Sequence, residues 1–207
     1  AAGPSATALV DNVAPTVSIG GPTPAATAAG PVSFTVTYAD ANALGITLAP
    51  GNVTVNATGT AAAGTVTVTG TGNTRTITLS GITGNGTLGV SIPAGTATDP
   101  AGNPAPAATS AATVAVDTTA PTVQTVARVG GPFTAATSVQ YTVTFSEPVT
   151  GVTNGTFSPF VTGGLSGVAV SNVTGGPTTY TVTVATPTGD GAVRLDVPAS
   201  AAVLDAA

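Results

Sequence analysis

Apolar residues along this chain recur at every second position. Val32, Phe34, Val36 and Tyr38 alternate with Ser and Thr, and Leu88, Val90 and Ile92 repeat the pattern. A period of two puts one set of side chains on one face of a pleated strand and the other set in water. Turn signals such as GTGN, GNG and PGN separate these runs at intervals of roughly ten residues, the spacing of an antiparallel sandwich. In the first half of the chain the pattern predicts seven strands, beginning near Pro15, Pro31, Asn52, Gly64, Asn73, Gly86 and Thr109. Nothing in it reads as a long helix.

The pattern is written twice. VSFTVTY at 32–38 returns as VQYTVTF at 139–145, TGNG at 83–86 as TGDG at 188–191, and VDNVAPTVSI at 10–19 as VDTTAPTVQT at 116–125. Three pairs of acids keep nearly the same step: Asp11 and Asp117 stand 106 positions apart, Asp40 and Glu147 107, Asp99 and Asp205 106. Such self-similarity marks an internal duplication. It predicts a lone strand over 1–10, a sandwich over 11–116 and a second over 117–207. Phe34, Tyr38, Tyr141 and Phe145 fall on the alternating apolar face and are expected in the cores. Phe133, Phe157 and Phe160 lie in less regular sequence and are candidates for a contact patch.

Composition narrows the function. The 207 residues hold no Cys, Met, Trp or His, and their only cations are three Arg against eight acids. Disulfides, thiolate and imidazole metal sites and the usual general bases are therefore excluded. No basic stripe exists to neutralise phosphates, which argues against nucleic acid, and no apolar run is long enough for a membrane-spanning helix. An enzyme would have to work with carboxylates, hydroxyls and three Arg, so catalysis is not expected. Arg194 and Asp196 share a strand face and read as a solvated surface pair. Sequons at Asn52, Asn56, Asn85, Asn154 and Asn172 are what a Thr-rich chain produces by chance, and they receive no function.

The acids carry the strongest chemical signal. If strands run alternately down and up, the second and sixth both finish at the pole where the first begins. That gathers Asp11, Asp40 and Asp99 in the first unit and Asp117, Glu147 and Asp205 in the second. Carboxylates clustered without cations repel, and an all-oxygen set suits calcium, with backbone carbonyls and Asn12, Asn42 or Asn103 as further ligands. Calcium there would stiffen the join between consecutive domains. The plainer reading makes them turn acids, bonded to nearby backbone amides.

The phrases DNVAPTV and DTTAPTV, the strand ends VTYADA and VTFSEPV, and the loop DPAGN at 99–103 together resemble the bacterial immunoglobulin-like repeats of large secreted surface proteins and adhesins. The resemblance covers essentially the whole chain. It implies an all-β protein of two tandem immunoglobulin-like antiparallel β-sandwich domains in a secreted, extracellular or cell-surface stalk, and several members of the family bind calcium near their domain junctions. The second copy departs from the pattern, since its loop phrase stops after Asp205.

At the 106-residue step SATALVD at 5–11 overlays AATVAVD at 111–117, the last strand of the first sandwich. Ser5, Ala6, Thr7, Ala8, Leu9 and Val10 thus read as a seventh strand without a domain, and the second sandwich reads as lacking its final strand. The expectation is a structural subunit whose partners are other copies of itself, joined head to tail by donor-strand complementation into a fibre. The alternatives are a segment of a long tandem-repeat adhesin, in which that strand arrives covalently, and a glycan- or ligand-binding module, which would want exposed aromatics on one loop face.

Overall fold

The computed structural model describes residues 10–186, 188–201 and 203–206. These residues form an all-β protein of several antiparallel sheets, consistent with β-sandwich architecture, and they separate into two compact units between Thr119 and Ala120. The only helical turns among them are two of 3-10 type, Pro50–Asn52 and Asn154–Thr156.

In the first unit one sheet orders its strands Thr16–Thr23, Val32–Ala39, Thr74–Ser80 and Thr65–Thr69, each antiparallel to the next. The alternation in Val32–Ala39 is realised directly. Val32, Phe34, Val36 and Tyr38 are buried, and the residues between them are not. A one-residue slip would turn all four to solvent, so burial itself fixes the register. The hairpin joining Thr65–Thr69 to Thr74–Ser80 turns through Gly70 at φ 106°, where an added Cβ would lie 2.7 Å from the Thr74 carbonyl oxygen. Only glycine fits there.

The second sheet centres on Gly86–Ile92. Thr54–Gly59 pairs with one edge, and Ala108–Thr109 and Val114–Val116 pair with the other. Leu88, Val90, Ile92, Val114 and Val116 meet Phe34, Val36, Tyr38, Ile77 and Leu79 in one continuous core. Six of the seven expected strands are present with starts shifted by no more than two residues. The seventh is broken into Ala108–Thr109 and Val114–Val116.

Val114–Val116 has a second partner that alternation does not announce. It pairs in parallel with Ala26–Thr27, Ala115 opposite Ala26 and Val116 opposite Thr27. The final strand is therefore held on both edges.

The second unit repeats the first sheet as Val123–Arg128, Ser138–Phe145, Thr179–Ala185 and Ala169–Gly175. Tyr141, Val143, Phe145, Val182 and Val184 form its core with Phe157 and Leu195. The Phe145 and Tyr180 rings meet edge to face, centroids 5.9 Å apart. Opposite this sheet lies a single pair of strands, Ser158–Gly163 and Gly191–Asp196, and a short pair, Val149–Thr150 with Leu204–Asp205, closes one end.

The three aromatics of irregular sequence do not form one patch. Phe157 is core, brought inward by the 3-10 turn that precedes it, whereas Phe133 is almost fully exposed. Phe160 lies under Arg194, whose guanidinium carbon is 4.2 Å from the ring centroid. Arg194 in turn pairs with Asp196 at 3.0 Å, both exposed, as expected of a surface pair.

Candidate functional site

Among the described residues, chemistry beyond packing is found at the acidic end of the first unit and at the outer edge of Gly191–Asp196 in the second.

At the acidic end each Asp first serves its own turn. Asp11 Oδ1 accepts the Val13 N–H at 3.0 Å, Asp40 Oδ1 accepts the Asn42 N–H at 2.8 Å, and Asp99 Oδ1 accepts the Asn103 N–H at 2.8 Å. This is the local bonding that suits Asp to turns. Two asparagines then tie the turns together. Asn42 Nδ2 donates to Asp11 Oδ2 at 2.6 Å, while Asn103 Nδ2 donates to Asp99 Oδ2 at 2.7 Å and to the Asp11 backbone carbonyl at 3.1 Å. Residues far apart in sequence are thus gathered at one end of the unit. Burial alone would raise the Asp99 carboxyl, but bonds from the Asn103 side chain and backbone and from the Ala101 and Gly102 backbone hold it below the usual carboxylate range. The donor set offers carboxylate and amide oxygens and no nitrogen or sulfur ligand. That chemistry is of the kind a hard divalent cation takes, but Asp11, Asp40 and Asp99 do not bring three carboxylate oxygens within 4.8 Å of one another.

The equivalent acids divide between the units. Asp117 closes the first, its N–H donating to the Thr27 carbonyl at 3.2 Å and its Oδ1 accepting the Thr119 N–H at 3.0 Å. Val13 and Asp11 make the same turn, so the repeated phrase encodes one local structure twice. Glu147 and Asp205 belong to the second unit, where Val149 pairs with Asp205 and brings them to a common end.

The edge strands of the two units differ. In the first, both edges of Gly86–Ile92 are covered. In the second, Ser158–Gly163 pairs with Gly191–Asp196 along its length, and among the described residues no strand lies on the other edge. A groove of about 580 Å³ runs there, with Phe133, Ala136, Val139, Leu165, Asp190 and Val193 in its walls. Side chains covered in the first unit are open in the second. Ile19 is 3% exposed opposite Val36, whereas Val126, opposite Val143, is 38% exposed. The Val193 carbonyl is met instead by the Tyr141 hydroxyl at 2.7 Å, a position that is Phe34 in the first copy.

The segment that clasps the last strand also recurs. Gly20-Gly21-Pro22 followed by Ala25-Ala26-Thr27 is matched by Gly130-Gly131-Pro132 followed by Ala135-Ala136-Thr137. In the first unit Ala25 and Thr27 accept the N–H groups of Ala115 and Asp117. In the second, Ala135, Ala136 and Thr137 line the groove. This doublet was the sequence signal for the parallel pairing that alternation missed. Of the expected joining strand, Ser5, Ala6, Thr7, Ala8 and Leu9 lie outside the described residues. Val10 is described, and it is 81% exposed where its counterpart Val116 is 4% exposed.

No family model and no curated protein matches the chain. Among solved structures it is similar to the adhesin InvE of Yersinia pseudotuberculosis at 18% identity and a TM-score of 0.30. The match covers 87% of this chain and 54% of that one, so the chain spans about half the length of that adhesin. Among the described residues no helix is long and apolar enough to cross a membrane.

Proposed function

We propose that the protein is a non-catalytic structural subunit of an extracellular fibre or surface stalk, in which residues 5–10 of one copy complete the second unit of the next. The observation that carries this reading is the difference between the covered edge of Gly86–Ile92 and the open edge of Gly191–Asp196. A groove of mixed polar and apolar lining beside an unpaired strand edge is a template for an added strand. The match of SATALVD to AATVAVD supplies one, and the exposure of Val10 supports its availability. Such a contact joins different surfaces of successive copies, does not close, and grows a filament. Calcium at Asp11, Asp40 and Asp99, and at their repeat equivalents Asp117, Glu147 and Asp205, belongs to the same proposal, supported by the oxygen-only donor set.

Deleting residues 1–10 tests the reading. The native chain is expected to form beaded filaments by electron microscopy and the deletion variant only small species of low stability. A second variant, extended after Ala207 by a copy of residues 102–116, should be a stable monomer because its second unit is completed internally. Assembly of the deletion variant at the native level would sink the proposal. A native chain that stays monomeric would favour the tandem-array reading, in which the strand is covalent.

A further inference from the structure

The first unit shows how the segment after a final strand is held. Val114 lies opposite Leu88, Ala115 opposite Thr87 and Val116 opposite Gly86. Just beyond them Asn85 grips the chain. Its Oδ1 accepts the Thr118 N–H at 2.8 Å and the Thr118 hydroxyl at 3.3 Å, and its Nδ2 donates to the Thr119 hydroxyl at 2.6 Å. The match of TGNG to TGDG puts Asp190 where the first copy has Asn85, and the 106-residue step puts Asn12 and Val13 where it has Thr118 and Thr119. Asp190 stands exposed on the wall of the groove, and its side chain makes no hydrogen bond or ion pair among the described residues.

Resting on the strand-addition reading, we infer that Asp190 of one copy is the recognition residue for Asn12 of another, and that this grip sets the register: Ala8 opposite Val193, Leu9 opposite Ala192, Val10 opposite Gly191. Two differences between the copies occur together. Asn85 offers both an acceptor and a donor, and it meets two donors on Thr118 and an acceptor on Thr119. Asp190 offers acceptors only. It would meet the backbone N–H and side-chain amide of Asn12, while Val13 has no hydroxyl left to satisfy. Donor and acceptor roles change on both sides in step, and the new bonds are charge-assisted. The incoming segment already has the required shape, because Asp11 turns onto the Val13 N–H at 3.0 Å as Asp117 turns onto that of Thr119. Asn12 is itself exposed.

The template applies only from Ala8 onward. In the first unit Ser110 and Thr113 cross above Gly89, whose Cβ would come within 3.0 Å of the Ser110 hydroxyl. Its counterpart is Arg194, stacked on Phe160. The register therefore rests on Ala8 to Asn12. A slip by one residue would turn Leu9 inward and draw Asp11 toward the apolar face.

Because these 207 residues hold no cysteine, engineered thiols report the register without background. Leu9→Cys with Ala192→Cys should give an oxidised ladder of covalent multimers, since directly opposed Cβ atoms lie at disulfide reach. Val10→Cys with Ala192→Cys, which reports the slipped register, should cross-link poorly. Asp190→Ala should raise the concentration needed for assembly on the order of tenfold or more, as expected for a lost hydrogen bond to a charged group. Adding Asn12→Ala to it should raise that concentration little further. Filaments that cross-link better through the slipped pair, or that assemble equally well with Asp190→Ala, would overturn the grip while leaving strand addition standing. A native chain that does not assemble at all would instead remove the strand-addition reading and this inference with it.

Discussion

The Asn103 side-chain amide donates to the Asp99 carboxylate at 2.7 Å, and the Asn103 backbone N–H donates to the same carboxylate at 2.8 Å. With the Ala101 and Gly102 backbone, these bonds outweigh burial and hold the Asp99 pKa below its ordinary value. A carboxyl whose folded pKa is depressed adds stability that is fully present above the ordinary carboxylate range and is lost as pH falls through the lowered pKa. The first unit should therefore lose melting temperature on acidification through that window. Asn103→Ala should lower the melting temperature at neutral pH and shrink the difference between neutral and acid values. Thermal melts of both proteins across the acid range check this, and an unchanged pH profile would count against it.

Tyr38 bears on the alkaline side. Burial raises its pKa, against the opposing influence of its 2.8 Å bond to the Thr96 hydroxyl and of Arg75. A raised folded pKa gives stability that is complete below the ordinary tyrosine range and disappears as pH climbs through the folded value. Tyr38→Phe removes a buried hydrogen bond and should cost about 1 kcal/mol at neutral pH. It should also leave the first unit less sensitive to alkali, as followed by denaturant unfolding at a series of pH values.

Calcium is expected to raise the melting temperature of the native chain. At a free concentration about a hundredfold above Kd the gain would be roughly 2.7 kcal/mol, and a chelator should reverse it. Asp40→Asn should blunt the response of the first unit. Calorimetric scans that superpose with and without calcium would dismiss the metal.

Core and edge positions should separate cleanly in mutational cost. Phe34 is completely buried among the first unit's strands, so Phe34→Ala should cost about 3–5 kcal/mol. Val126, on the strand that faces the open groove, should tolerate Ala within about 0.5 kcal/mol in the monomer, as an exposed position does. A larger cost for Val126→Ala in assembled material than in monomer would fit a side chain that becomes covered on assembly.

The strands whose apolar residues alternate were legible, because burial of one face leaves a period-two trace: Val32 to Tyr38, Leu88 to Ile92 and Val139 to Phe145 all follow it. The parallel clasp of Ala26–Thr27 was not. A two-residue strand has no period to display, and only its repetition as Ala136-Thr137 marks it. Phe157 escaped for a related reason, since a 3-10 turn sets its direction and interrupts the alternation. The acids were located by their spacing, whereas the tie from Asn42 to Asp11 depends on a chain reversal that spacing does not record.

An uncovered β edge is also a hazard, since identical edges can pair with each other and lead to disordered aggregation. Arg194 and Asp196 stand on the same strand as that edge, in a chain with very few charges. Two copies approaching edge to edge about residue 194 would bring one guanidinium against another, and moving either away would break its pairing with Asp196 and its seat on Phe160. Such a pair would disfavour pairing of the edge with its own kind, while the stretch from Gly191 to Val193 carries no charge.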